Sequence, residues 1–125
     1  MTEVGVVLRY DEAPHYWHQP QGSTGGSLPD SRSLWDVLWQ GRHDIMGFAH
    51  SHPGEGVPGP SHEDLTTFAA VEAGLGARLL WWIVSSTHVV VLHWNGSEYT
   101  STRVWNEPDW VAELRRRSYA EGSHG

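Results

Sequence analysis

A chain of 125 residues has the length of one domain, large enough to bury a core and too short for two; at 38% hydrophobic it is also too apolar to be disordered. Its net charge is −7 and all eight basic residues are arginines, so it lacks the basic footprint of a nucleic-acid binder, and nucleic acid is not an expected partner. With no cysteine, disulfides, thiol nucleophiles, Cys-based zinc fingers and the Cys-ligated zinc of base deaminases are excluded, so any metal must be held by His, Asp or Glu.

Val4 to Tyr10 is mostly β-branched or aromatic and reads as a strand; Asp11 to Pro14 supplies a turn before a second extended piece, His15 to Gln19, so the two are expected to form a hairpin. Gln21 to Pro29, rich in Gly and Ser, reads as a flexible loop long enough to act as a flap. Asp30 or Ser31 can cap a helix in which Leu34, Trp35, Leu38 and Trp39 share one stripe, expected to pack on a sheet, with Gly41 as its stop.

Ile45 to His52 reads as a strand running into His50-Ser51-His52-Pro53, after which the Pro- and Gly-rich residues 53–60 forbid regular structure and predict a rigid loop. Ser61 followed by Asp64 has the form of a capping box and opens a helix with Leu65, Phe68, Val71 and Leu75 on one face, ended by Gly74 and Gly76. Leu79 to Ser85, His88 to Trp94 and Tyr99 to Trp105 read as three strands of an antiparallel meander, with Asn95-Gly96 as a hairpin turn. Trp81 and Trp82 point to opposite faces, so one of them is expected to be less buried. Asn106-Glu107-Pro108 starts a last helix, in whose final turn Arg115, Arg116 and Arg117 suit the helix dipole. The expected fold is α/β (α+β): one mixed, curved sheet sandwiched by helices, a single domain over residues 1–120 with a frayed tail at 121–125. The N-terminal residues do not read as a secretory signal, and the longest apolar run, Leu79 to Val84, is far too short to span a bilayer. No membrane association is expected, and the location is taken as cytoplasmic.

Nine histidines and eight tryptophans stand out in this composition. Residues i and i+2 of a strand face the same way, so His50 and His52 present two imidazoles side by side. The loop returns Asp64 toward them, and two His, one Asp and a water make the open tetrahedral site of a catalytic zinc. Such a site needs a nearby carboxylate to take the proton of the bound water. The other histidines, His15, His18, His43, His62, His88, His93 and His124, have no comparable spacing and are expected to be surface or packing residues.

His50-Ser51-His52-Pro53 followed by Ser61-x-x-Asp64 resembles the metal-binding motif of the JAMM (MPN+) zinc metalloproteases, over most of the chain, with helix, strand, helix and strand in the family's order. The resemblance implies a JAMM/MPN-like domain that hydrolyses a peptide or isopeptide bond, after an extended peptide or the C-terminal tail of a ubiquitin-like or sulfur-carrier protein. It implies one zinc on His50, His52 and Asp64, with Ser61 steadying the oxyanion. The catalytic Glu of the family lies on an early strand; Glu3-Val4-Gly5 fits that place, with Glu12 as the alternative. The loop before Asp64 is one residue longer than the usual pattern, which would put Glu63 at the ligand spacing; Ser61 shifts with Asp64, so Asp64 is kept. Two other readings are a non-catalytic MPN-type scaffold and a RadC-like protein, whose motifs look similar.

Overall fold

In the computed structural model, which describes residues 1–120, the expected elements appear in the expected order. The expected frayed tail at 121–125 lies outside the described residues. Strands β1 (Gly5–Arg9) and β2 (Pro14–His18) form the predicted hairpin, followed by helix α1 (Arg32–Gln40) and strand β3 (Ile45–Ser51). Helix α2 (His62–Leu75) leads to β4 (Leu80–Val84), β5 (Val89–Trp94) and β6 (Tyr99–Arg103), and helix α3 (Asp109–Tyr119) ends the described chain. The six strands make one open mixed sheet in the order β2-β1-β3-β4-β5-β6. Only β3 and β4 run parallel, which requires a crossover, and α2 supplies it.

The sheet is covered on both faces. Leu34 and Leu38 of α1 and Phe68 and Leu75 of α2 pack with Phe48 and Trp81 on one face; Trp110, Val111 and Leu114 of α3 pack with Ala49 and Trp82 on the other. Two-sided cover explains why β1, β3 and β4 are apolar at nearly every position, as buried strands require. It also corrects the expectation for Trp81 and Trp82: they do point to opposite faces, but with helices on both sides they are 2% and 5% exposed. The parallel pair approaches so closely at Gly47 that a Cβ there would lie 1.9 Å from the Leu80 carbonyl oxygen, so only glycine fits.

Helix α1 departs from its expected packing. Leu34 and Leu38 face the sheet, but Trp35 and Trp39, each turned about 100° further round the helix, are 38% and 44% exposed and stack on each other instead. In α2, Gly76 is the left-handed C-cap (φ 69°), while Gly74 is an ordinary helical residue rather than a stop. The three arginines of α3 are engaged by specific carboxylates: Arg116 and Arg117 by Glu113, and Arg115 by a two-pronged pair with Glu107.

One buried carboxylate ties the layers together. Glu72 of α2 accepts hydrogen bonds from the Leu79 N–H (2.9 Å), Trp81 Nε1 (3.0 Å), Arg78 (2.9 Å) and the Tyr99 hydroxyl (2.5 Å), joining α2 to β4 and β6. Burial and the neighbouring carboxylate push the Tyr99 phenol up to about 12. Replacing Glu72 by Leu strands the buried Leu79 and Trp81 donors, so Glu72→Leu should lose about 3 kcal/mol of unfolding free energy in urea titration. A loss below about 0.5 kcal/mol would show that the network is not a structural tie.

Candidate metal centre

The site follows from strand register. Gly5 of β1 lies opposite His50 of β3 in an antiparallel pair, and directly opposed residues face the same way. Two residues back along β1 and two residues on along β3, Glu3 and His52 therefore join His50 on the face covered by α2. Side-chain atoms of Glu3, His50 and His52 able to ligate a metal all lie within 4.8 Å of one another. Gly5, without a side chain, leaves room beside His50; the Phe48 ring occupies the space a Cβ would need.

Asp64 reaches the same point from α2. Its Oδ2 lies 3.4 Å from His50 Nε2 and 3.1 Å from His52 Nε2, and the two Nε2 atoms are 3.0 Å apart. A tetrahedral zinc with bonds of about 2.0–2.1 Å separates its ligand atoms by about 3.3 Å, so this triangle has the size of one tetrahedral face. Three lone-pair-bearing atoms converging this closely call for a cation or protons among them, since two imidazoles can share only one N–H···N bond. The donor set, two imidazole nitrogens and a carboxylate oxygen, suits zinc and leaves a fourth position open. Glu3 offers a second carboxylate, either as an alternative ligand or as a group one step outward.

The capping box sets the Asp64 carboxylate in place. Ser61 Oγ accepts from the Asp64 N–H (3.0 Å), and Asp64 Oδ2 accepts from the Ser61 N–H (2.9 Å) while also facing the imidazoles. Ser61 is thus a helix cap beside the site, and among the described residues its hydroxyl donates no hydrogen bond. Glu63, the residue at the family's usual spacing, is exposed, whereas Asp64 is the one at the His pair. Glu12 is exposed in the β1–β2 turn, beyond the opposite end of β1 from Glu3. Residues 53–60 form no regular structure, as expected, and two of them tie the loop to its neighbours: Gly54 and Gly56 bond to Ser85, Ser86 and Thr87 of the β4–β5 turn, and Gly54 N–H donates to the Tyr119 hydroxyl.

Electrostatics divide the four titrating groups. Burial is the largest influence on Asp64 and would raise its carboxyl, but hydrogen bonds from His50, His52 and the Ser61 N–H outweigh it and hold the group well below the usual carboxylate range. Burial lowers His50 in spite of Asp64. It also works to lower His52, but Asp64 and Glu3 reverse the sign and raise it. Glu3 is 7% exposed and its carboxylate has no hydrogen bond among the described residues, so burial dominates and pushes it up to about 7, against the pull of His52.

Two parts of the arrangement were not singled out in the sequence. Ser51, between the two histidines, points to the opposite face, where its Oγ accepts from the Val4 N–H (2.9 Å) while the Ser51 N–H donates to Val4 O (2.9 Å). The residue after Glu3 is thereby clamped to the residue between the histidines. Loop 20–31 also holds Glu3: its N–H donates to Thr24 O (2.7 Å) and its carbonyl accepts from the Ser23 hydroxyl (2.5 Å). Buried His18 anchors the other end of that loop; its Nε2 donates to Pro29 O (2.6 Å), since a carbonyl only accepts. Period-two alternation carried the signal for Ser51; nothing local in the sequence marked Ser23 or Thr24.

The chain matches no protein-family model and no curated protein.

The Glu3 shift gives a stability prediction with a definite sign. Because its carboxyl is raised in the folded chain, the folded state holds the extra proton between about pH 4.5 and 7, and stability falls as pH rises through that window. After chelator treatment, Glu3→Gln should therefore stabilise the protein by about 2 kcal/mol at pH 8 and by much less at pH 4.5, measured by denaturant unfolding at both values. An equal effect at the two pH values would mean that Glu3 is not buried as a charge.

Proposed function

We propose that this chain is a zinc-dependent peptidase or isopeptidase with a JAMM/MPN-like architecture. The observation that carries the reading is the triangle of His50 Nε2, His52 Nε2 and Asp64 Oδ2, with edges of 3.0, 3.1 and 3.4 Å, beside a buried carboxylate at one end of a cleft. His-x-His-Pro and Ser-x-x-Asp, at the end of a strand and the start of the next helix, support the same reading.

In this reading His50, His52 and Asp64 hold the zinc, which supplies Lewis-acid activation of a water and of the scissile carbonyl. Glu3 would act as general base and then general acid: its buried carboxylate, within 4.8 Å of both imidazoles and without a hydrogen bond among the described residues, is placed to take a proton from the water and return it to the departing amine. Ser61 would donate its hydroxyl proton to the developing oxyanion while its oxygen stays engaged with the Asp64 N–H. Ser51 is a positioning residue, setting Glu3 against the histidines through Val4. The substrate is an extended peptide segment or a protein tail, lying in the cleft past the site.

The test separates base from ligand. Purified wild type should carry about one zinc per chain by metal analysis, and His52→Ala almost none. Glu3→Gln should keep the zinc and lose at least about 100-fold in cleavage of peptide and ubiquitin-like fusion substrates. Loss of zinc from Glu3→Gln would instead make Glu3 a ligand, and a wild type that binds no zinc would favour the scaffold reading.

A further inference from the structure

The hairpin turn between β5 and β6 closes through a side chain. The Asn95 N–H donates to Glu98 O (2.9 Å), but the returning bond from the Glu98 N–H goes to Asn95 Oδ1 (2.9 Å), where a backbone carbonyl ordinarily accepts it. The same Oδ1 accepts from the Ser97 N–H (2.9 Å) and the Ser97 hydroxyl (3.2 Å), and Nδ2 donates to Thr100 Oγ1 (2.9 Å). Residues 95–98 are exposed and lie at the end of the sheet away from the His pair, beyond the last ladder pair of Trp94 with Tyr99.

Gly96 follows with φ 107°, a conformation open to glycine and strained for other residues. Its N–H makes no hydrogen bond among the described residues, so none has to break for that nitrogen to lose its proton. An asparagine amide carbon and the next residue's nitrogen can join in a five-membered ring. The reaction is ordinarily slow because the next side chain crowds the nitrogen and because an amide carbon is a poor electrophile. Neither obstacle stands here in full. Gly96 offers no side chain, and three donors aimed at Oδ1 stabilise the negative charge that grows there when Cγ is attacked.

We propose that Asn95-Gly96 is a self-modification site, at which the folded turn promotes its own deamidation through a cyclic imide. The Gly96 nitrogen gives its proton to a solvent base and bonds to Asn95 Cγ, placing the charge on Oδ1. The Cγ–Nδ2 bond then breaks, and Nδ2 takes a proton from water and leaves as ammonia. Water next opens the ring. Breaking the new N–Cγ bond yields aspartate, and breaking the old bond to the Asn95 backbone carbonyl yields isoaspartate. Both products keep an oxygen on Cγ to accept from the Ser97 and Glu98 N–H groups, so the turn retains its closing acceptor. What it loses is the Nδ2 donor to Thr100, and what it gains is one carboxylate beside Glu98 on a chain of net charge −7. The site stands apart from the metal centre and does not depend on the hydrolase reading.

The experiment incubates the full chain in neutral, amine-free buffer, folded in one arm and unfolded in guanidinium in the other. Conversion of Asn95 is followed by peptide mass spectrometry, and isoaspartate is scored with an isoaspartate-specific carboxyl methyltransferase. The other asparagine, Asn106, precedes Glu107, whose side chain crowds the attacking nitrogen, and it serves as the internal reference. The folded chain should convert Asn95 at least about threefold faster than the unfolded chain, with Asn106 unchanged, and a more acidic species should accumulate on anion exchange. Ser97→Ala removes the hydroxyl donor and keeps the backbone donors; it should slow the folded arm and leave the unfolded arm as it was. Equal rates in the two arms, a faster unfolded arm, an Asn95 that stays intact in the folded chain, or a folded rate indifferent to Ser97→Ala would each overturn the proposal.

Discussion

The pairing of β1 with β3 is the constraint on which the site depends. Gly5 opposite His50 fixes which residues share a face, and one step of slippage would turn the histidines toward α3 and away from Asp64. The Val4 and Ser51 bonds carry that pairing past the end of the regular ladder, to the place where Glu3 must stand. The dipeptides Glu3-Val4 and Ser51-His52 are thus held together, with the Ser51 hydroxyl on one side of the sheet plane and the Glu3 and His52 side chains on the other. Asp64 then needs only a helix that starts at the right point, and the capping box provides that start.

Two buried glutamates of the same fold show how differently the chain treats a carboxylate. Glu72 is met by four donors, and its removal would leave them unsatisfied. Glu3 is nearly as buried, yet its carboxylate has no hydrogen-bonding partner among the described residues, and its proton affinity is pushed up to about 7. A fully satisfied acid cements packing. An unsatisfied one beside converging imidazoles is costly to ionise, and that cost is borne by the surrounding core.

Much of this was legible in the sequence. The strand and helix order, the His50 and His52 pair and the Ser61 and Asp64 box follow from period two, period 3.6 and capping chemistry, all local rules. What local rules do not carry is cover. That α3 closes the second face, burying Trp82 as fully as Trp81, depends on where a distant helix docks. The same limit explains Trp35 and Trp39: an apolar stripe of four residues is wider than the contact that α1 makes, and only Leu34 and Leu38 lie within it. Glu72 reads as an ordinary helical glutamate until Trp81 and Tyr99 are brought to it from other strands. Position in the chain also says nothing of how Glu3 is held, since its partners, at residues 23 and 24, lie in a loop with no regular pattern.

Thr2 and Ser118 exchange hydrogen bonds, backbone to backbone in one direction and hydroxyl to carbonyl in the other. The first strand and the last helix are thereby joined as a ring, and Glu3 sits beside the clasp. A substitution in α3 that shifts Ser118 would reach Glu3 through Thr2, from the opposite face of the sheet. The end of the sheet that carries the His50, His52 and Asp64 cluster is therefore also the place where the first strand and the last described helix are tied together.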